Sequence, residues 1–131
     1  MKKSLCIAAI AAFIFTGCSQ RIVGTWNVDK YEVNNQKGQN LTTTNAGKIT
    51  FNKNGTGEKK IEYSIFSNDY SDARPFTWKL QDSNLTITGM KNDKKSDFDK
   101  TWIIVTDKGD RQVWKSTDGS NTVQVLQLTK D

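Results

Sequence analysis

The sequence contains no histidine. Ser–His and Cys–His nucleophilic pairs are therefore excluded, as is every zinc site that needs an imidazole. It has a single proline, Pro75, and two cysteines, Cys6 and Cys18. It lacks a strong excess of either charge: 19 Lys and Arg stand against 14 Asp and Glu. The basic residues are scattered, apart from the pairs Lys2-Lys3, Lys59-Lys60 and Lys94-Lys95. A nucleic-acid binder would carry a basic stripe with interleaved aromatics, so no nucleic-acid partner is expected. Nor is there an apolar run that could span a bilayer as a helix. The longest, Leu5 to Phe15, is broken only by the small Cys6, and spanning needs roughly 20 residues.

That short run has a role of its own. Lys2 and Lys3 precede it, and small Thr16 and Gly17 follow it, the pattern of a secretory signal with a small-residue cleavage site. The ending Phe15-Thr16-Gly17-Cys18 resembles the lipobox of bacterial lipoproteins. The resemblance implies a signal peptide over 1–17, cleavage before Cys18, lipidation of Cys18 by diacylglycerol and an N-acyl chain, and attachment to a membrane. Several acyl chains hold stably where one holds marginally. By the same resemblance, Ser19 after the cysteine points to the outer membrane. Gln20 and Arg21, in place of acidic residues, favour its periplasmic side over the cell surface. Cys6 leaves with the signal and Cys18 is acylated, so no thiol is left for a disulfide and the fold must stand on its core alone. Removing 17 residues leaves 114 and takes two lysines, lowering the formal net charge from +5 to +3.

From Trp26 onward the apolar period is two. Phe76, Trp78 and Leu80 alternate with Thr77 and Lys79, and Ile61, Tyr63 and Ile65 with Glu62 and Ser64. Clusters of Gly, Asn and Asp bound each run, the residues that favour turns. Eight strands are expected, at 22–33, 47–52, 56–66, 74–80, 84–89, 98–106, 111–115 and 122–129. The apolar parity shifts within the first, which a bulge near Asp29-Lys30 would explain. Helix-free antiparallel strands leave a sandwich or an up-and-down barrel. Tight connections at 52–56, 81–83 and 107–110 alternate with longer ones at 34–46, 67–73, 90–97 and 116–121. Strict alternation suits a meander closed into a barrel, with all tight turns at one end. A short lipidated tether, 18–21, would lead into the barrel domain, 22–131, and hold the tight-turn end close to lipid. Gly24 stands six residues after Cys18, a reach of at most about 20 Å.

Gly24-Thr25-Trp26, "GKITFNKNGTG" (47–57), "FTWKLQDSNLTIT" (76–88) and the Trp-x-Ile at Trp102 together resemble the lipocalin-like domains of small Bacteroidetes lipoproteins. The resemblance implies an all-β, eight-stranded antiparallel lipocalin-like barrel with Trp26 packed near its closed end. The sequence departs from the family pattern at Asn27, usually aromatic, and in lacking a Thr-Asp-Tyr motif and a C-terminal helix. Only Lys130 stands where it could place a cation over Trp26.

Trp26, Phe51, Tyr63, Phe76, Trp78 and Trp102 fall on inward positions. They are either core filling or the lining of a cavity for an apolar or amphipathic ligand, because eight strands enclose just enough space for one or the other. Phe66, Tyr70 and Arg74 bracket a long loop and are candidate rim contacts to a protein or sugar. Asp97-x-Asp99 and the surrounding "KNDKKSDFD" (91–99) have neither the Gly nor the Glu of a calcium loop. They read as solvated charge, and Glu58 and Glu62 read as an outward pair. No catalytic residue, metal or cofactor is expected. Two functions stay open: a lipid-anchored binder of a small hydrophobic molecule at the barrel mouth, and an interaction or enzyme-inhibitor module using the long-loop rim against an envelope protein. An open apolar pocket at the 34–46 end favours the first, and a filled interior favours the second.

Overall fold

The computed structural model describes residues 21–131, except 36, 66, 94–95 and 118–121; the signal segment and Cys18 lie outside the described residues. Among the described residues there are eight strands: β1 (Gly24–Asn34), β2 (Asn40–Phe51), β3 (Thr56–Ile65), β4 (Asn68–Gln81), β5 (Asn84–Gly89), β6 (Thr101–Asp107), β7 (Arg111–Thr117) and β8 (Val123–Lys130). Each pairs antiparallel with the next, and β8 pairs back onto β1, closing a barrel. The tight turns are as the Gly, Asn and Asp clusters require. At Asn52–Thr56, for example, the Asn52 amide donates to Thr56 O at 2.8 Å and Gly55 N to Asn52 O at 3.2 Å. The β1 register slips between Val28 and Lys30 against both neighbours. That makes Asp29 the bulged residue and brings Tyr31 onto the same inward side as Trp26 and Val28.

Three boundaries depart from expectation. Residues 40–46 and 68–73 belong to β2 and β4 and are not long loops. Thr42, Thr43 and Thr44 are β-branched and pair with Glu32, Tyr31 and Lys30. Their hairpin projects beyond the core, where nearly every residue meets water. Without a buried face no apolar alternation marks such a strand. The third departure is at β6, which starts at Thr101, leaving Phe98 outside the strand. Of the four connections at the end away from the tight turns, the one from β5 to β6, residues 90–100, is the longest.

The tight-turn end is sealed. Ile22 and Trp26 are fully buried there, and the Trp26 indole N–H donates to Ile22 O at 2.8 Å. Lys130 Nζ lies 5.5 Å over the Trp26 ring and donates to Arg21 O at 3.1 Å. Gly24 makes room for it: φ is +129°, and a Cβ would come within 3.0 Å of Lys130 Cε. The Gly-x-Trp pair is thus one device, the tryptophan plugging the base and the glycine letting the cation cross it. Replacing Trp26 by Ala is expected to lower unfolding free energy by about 3–5 kcal/mol in equilibrium urea denaturation. A loss under about 1 kcal/mol would show that the base is not held by this ring.

Candidate functional site

The interior is filled. Trp26, Phe51, Phe76 and Trp102 are fully buried and Tyr63 nearly so. Phe51 packs edge-on to Phe76 at 5.4 Å and to Trp78 at 5.5 Å between ring centroids. Trp78 is only partly buried, and its indole N–H donates to Thr56 O at 2.9 Å and Asn52 O at 3.1 Å, tying β4 to the β2–β3 turn. Three further aromatics fill the rest. Trp114 packs against Phe51 at 5.8 Å and Trp102 at 6.4 Å. Tyr31 and Phe98 lie 5.0 Å apart. Trp114 shares its parity with Gln112 and Ser116, which are polar yet buried, so apolar alternation does not mark that face of β7 as inward. Nor does it mark Phe98, because that residue reaches the interior from a loop.

That loop crosses the open end. Residues 91–93 are exposed, but Ser96 and Phe98 are buried, which corrects the reading of 91–99 as wholly solvated charge. Phe98 sits among Tyr31, Tyr63 at 5.6 Å and Trp102 at 6.2 Å, and its carbonyl accepts the Trp102 indole N–H at 3.0 Å. The segment is pinned by polar contacts. Asp99 Oδ1 lies 3.2 Å from Lys59 Nζ, and Asp99 Oδ2 accepts the Ser96 amide at 3.1 Å. The Ser96 hydroxyl donates to Asp72 Oδ2 and accepts the Phe98 amide at 3.0 Å. The Tyr63 hydroxyl donates to Asp97 at 2.7 Å.

Lys59 is the unexpected member. Its side chain is 1% exposed inside the barrel, 3.6 Å from Asp72 Oδ1, an oxygen with no hydrogen bond among the described residues. Its parity, shared with Ile61 and Tyr63, places it inward. A buried ammonium persists only when paired, and the carboxylates that pair it come from β4 and from the loop. Glu58 and Glu62, on the other face of β3, are exposed as expected.

The rim residues separate. Phe66 lies outside the described residues. Arg74 is not a free rim cation: it is half-buried, engaged, and opposite Lys59 in the β3–β4 register. Tyr70 is 43% exposed and stacks on Tyr63, centroids 5.1 Å apart. Here β2 and β3 part: their pairing runs only from Phe51↔Gly57 to Gly47↔Ile61. Farther on, the Ser64 amide reaches Thr43 Oγ1 at 3.4 Å. A cleft of about 470 Å³ lies at this parting, lined by Thr43, Glu62, Tyr63, Ser64, Asp69, Tyr70 and Ser71. A second, of about 430 Å³, follows β5 past its last pair with β6 and ends on Asp99 and Lys100.

Burial first pushes the Tyr31 and Tyr63 hydroxyls above the usual tyrosine range; the charge of Asp97 adds to it at Tyr31, and the hydrogen bond to Asp97 and then its charge at Tyr63. Unfolded tyrosines release their proton near pH 10 while these two keep it. Their contribution is therefore complete below about pH 10 and is lost as pH rises further. The urea midpoint is expected to fall above about pH 10, and Tyr63→Phe to make the fall shallower; an identical fall in that variant would remove Tyr63 as a cause.

No curated protein matches the chain. Among solved structures, a lipocalin-like protein from Bacteroides uniformis superposes with a TM-score of 0.55 at 12% identity, covering 85% of this chain and 99% of that one. A redesigned β barrel gives 0.44 at 17% identity, covering 86% and 93%. The siderocalin Ex-FABP gives 0.47 at 10% identity, covering 85% and 74%. At these identities the first supports the fold alone. The lipocalin-like domain family matches residues 22–131, the whole barrel, and the chain belongs to that family.

Proposed function

We propose that this is a non-enzymatic, lipid-anchored envelope protein that binds a small amphipathic ligand at the open end of its barrel. The observation that carries the reading is the cleft at the parting of β2 and β3. It offers two stacked tyrosines, one of them well exposed, beside the carboxylates of Glu62 and Asp69. Aromatic faces beside fixed polar groups are what such a ligand needs. The filled interior counts against a ligand wholly buried in the barrel and, by the criterion drawn from the sequence, towards protein contact; only the cleft outside the core keeps a small ligand as the first reading. The mouth is therefore the favoured site.

The anchor fits the same picture. Arg21, the first described residue, lies at the tight-turn end beside Asp107, at 3.5 Å. Acyl chains on Cys18 would hold that end at the membrane, by our reading the periplasmic leaflet of the outer membrane, and turn the cleft away from it. A second reading, contact with an envelope protein, draws on a different feature. Ile103 and Val105 are each 50% exposed on the outer face of β6, with Val123 exposed on β8.

Two experiments test the proposal. Cys18→Ala should move the protein from the membrane to the soluble fraction; retention at the membrane would refute the anchor. Native mass spectrometry of that variant, purified from its host, should show a co-purifying amphiphile, and Tyr70→Ala should weaken rebinding by about tenfold. A protein that runs without ligand and takes up no amphipathic dye would refute binding at the mouth and favour the protein-contact reading.

A further inference from the structure

A second site lies inside the barrel, and the chain occupies it with its own residues. Phe98 presents an aromatic ring to Tyr31, Tyr63 and Trp102, and the adjacent Asp99 presents a carboxylate to Lys59. From these contacts we infer that Ser96–Asp99 is a displaceable plug, and that the ligand displacing it is a small aromatic carboxylate. Its ring takes the seat of Phe98 and its carboxylate the seat of Asp99.

Three observations support displacement. First, the plug is not part of the sheet. β5 and β6 share only the pairs Asn84↔Ile103, Leu85↔Trp102 and Thr86↔Thr101. Past these, Ser96–Asp99 is held largely by side chains, so it can leave without breaking the barrel's ladder. Second, its departure removes the nearer partner of a buried cation. Asp99 Oδ1 accepts from Lys59 at 3.2 Å, whereas Asp72 Oδ1 makes only an ion pair with it, at 3.6 Å. With Asp99 out, Lys59 keeps Asp72 as its charge partner and regains a donor for a second carboxylate. Third, there is a way in. The 430 Å³ cleft along β5 reaches Asp99 from outside, and Gly89 keeps it close: a Cβ there would fall 2.4 Å from Asp99 Oδ2.

The plug also sets the affinity. A ligand that binds only when the plug is out has its apparent affinity reduced by the fraction of molecules in that state. Removing the internal competitor removes the reduction. This site adjoins the Tyr63–Tyr70 cleft through Tyr63, which packs against Phe98 and Tyr70 alike, but its occupation does not require Tyr70.

The test uses the full chain carrying Cys18→Ala, with 3-phenylpropanoate as probe and its neutral amide as control. Tryptophan fluorescence, to which Trp102 beside the seat contributes with three other indoles, should titrate with the carboxylate and not with the amide. Phe98→Ala with Asp99→Asn should tighten carboxylate binding by about tenfold or more. Tyr70→Ala should leave it unchanged, while weakening any ligand of the mouth. Should the double variant fail to fold, hydrogen exchange on the parent chain decides. The Ser96 and Phe98 amides, bonded within the plug, should lose protection when 3-phenylpropanoate saturates. Equal binding of acid and amide, or binding with those amides still protected, would overturn the inference. Loss of carboxylate binding in Tyr70→Ala would overturn it as well, by assigning the probe to the mouth.

Discussion

The ladder between β1 and β8 is what everything else depends on. Trp26↔Lys130 through Asn34↔Val123 closes the sheet on itself. Closure removes the free edges that an open sheet of this size would expose. It also forces every inward residue into one shared space. In eight strands that space is narrow, so side chains from opposite walls meet, and their identities settle whether the barrel is hollow or solid. The bulge at Asp29 contributes to both. It bends β1 enough to serve two neighbours, and it sets Tyr31 beside Trp26 and Val28 on the inward side. Thr129 donates its hydroxyl to the Asp29 carboxylate at 2.8 Å, so the irregular position is itself tied to β8.

The barrel is chemically polarised along its axis. Its base is closed by an indole, an isoleucine and a lysine crossing the indole, with Gln112 buried beside them and accepting the Trp114 indole N–H at 2.8 Å. The opposite half carries Lys59, Asp72, Ser96, Gln124 and two tyrosine hydroxyls within the same enclosure. Buried polar groups of this kind are retained only when they are satisfied by one another. Gln124 donates to the Tyr31 hydroxyl at 3.0 Å, and Tyr63 to Asp97 at 2.7 Å. Asp72 Oδ1 is left over. The imbalance sits where the loop segment meets the wall, and that is where the structure could change its partners without giving up its fold.

The period-two pattern made most strands legible because their inward faces are apolar and their outward faces polar. It failed where that contrast is missing. The β1–β2 hairpin at 40–46 is wet on nearly all sides and reads as loop. Asn68 to Ser71 begin β4 with exposed residues, all but Tyr70 polar, for the same reason. Trp102-Ile103-Ile104-Val105, apolar throughout, could not reveal whether its outer face was covered, and Ile103 and Val105 prove half exposed. Lys59 was legible by parity, but the habit of placing lysine in water argues against reading it inward.

The sequence by itself determined the class of fold, the number and approximate places of its strands, the tight turns, the β1 bulge and the sealing of one end by Trp26. The strands, turns and bulge follow from local alternation and turn chemistry, which act over a few residues; the seat of Trp26 follows from the resemblance of its Gly-x-Trp pair to the lipocalin pattern. The tertiary structure alone decided that the interior is full, that Phe98 and Asp99 enter it from a loop, and that Lys59, Asp72 and Asp99 meet. Those three side chains are up to 40 residues apart in the chain, and no periodicity links them. Only the closing of the sheet brings the two walls and the crossing loop to one place.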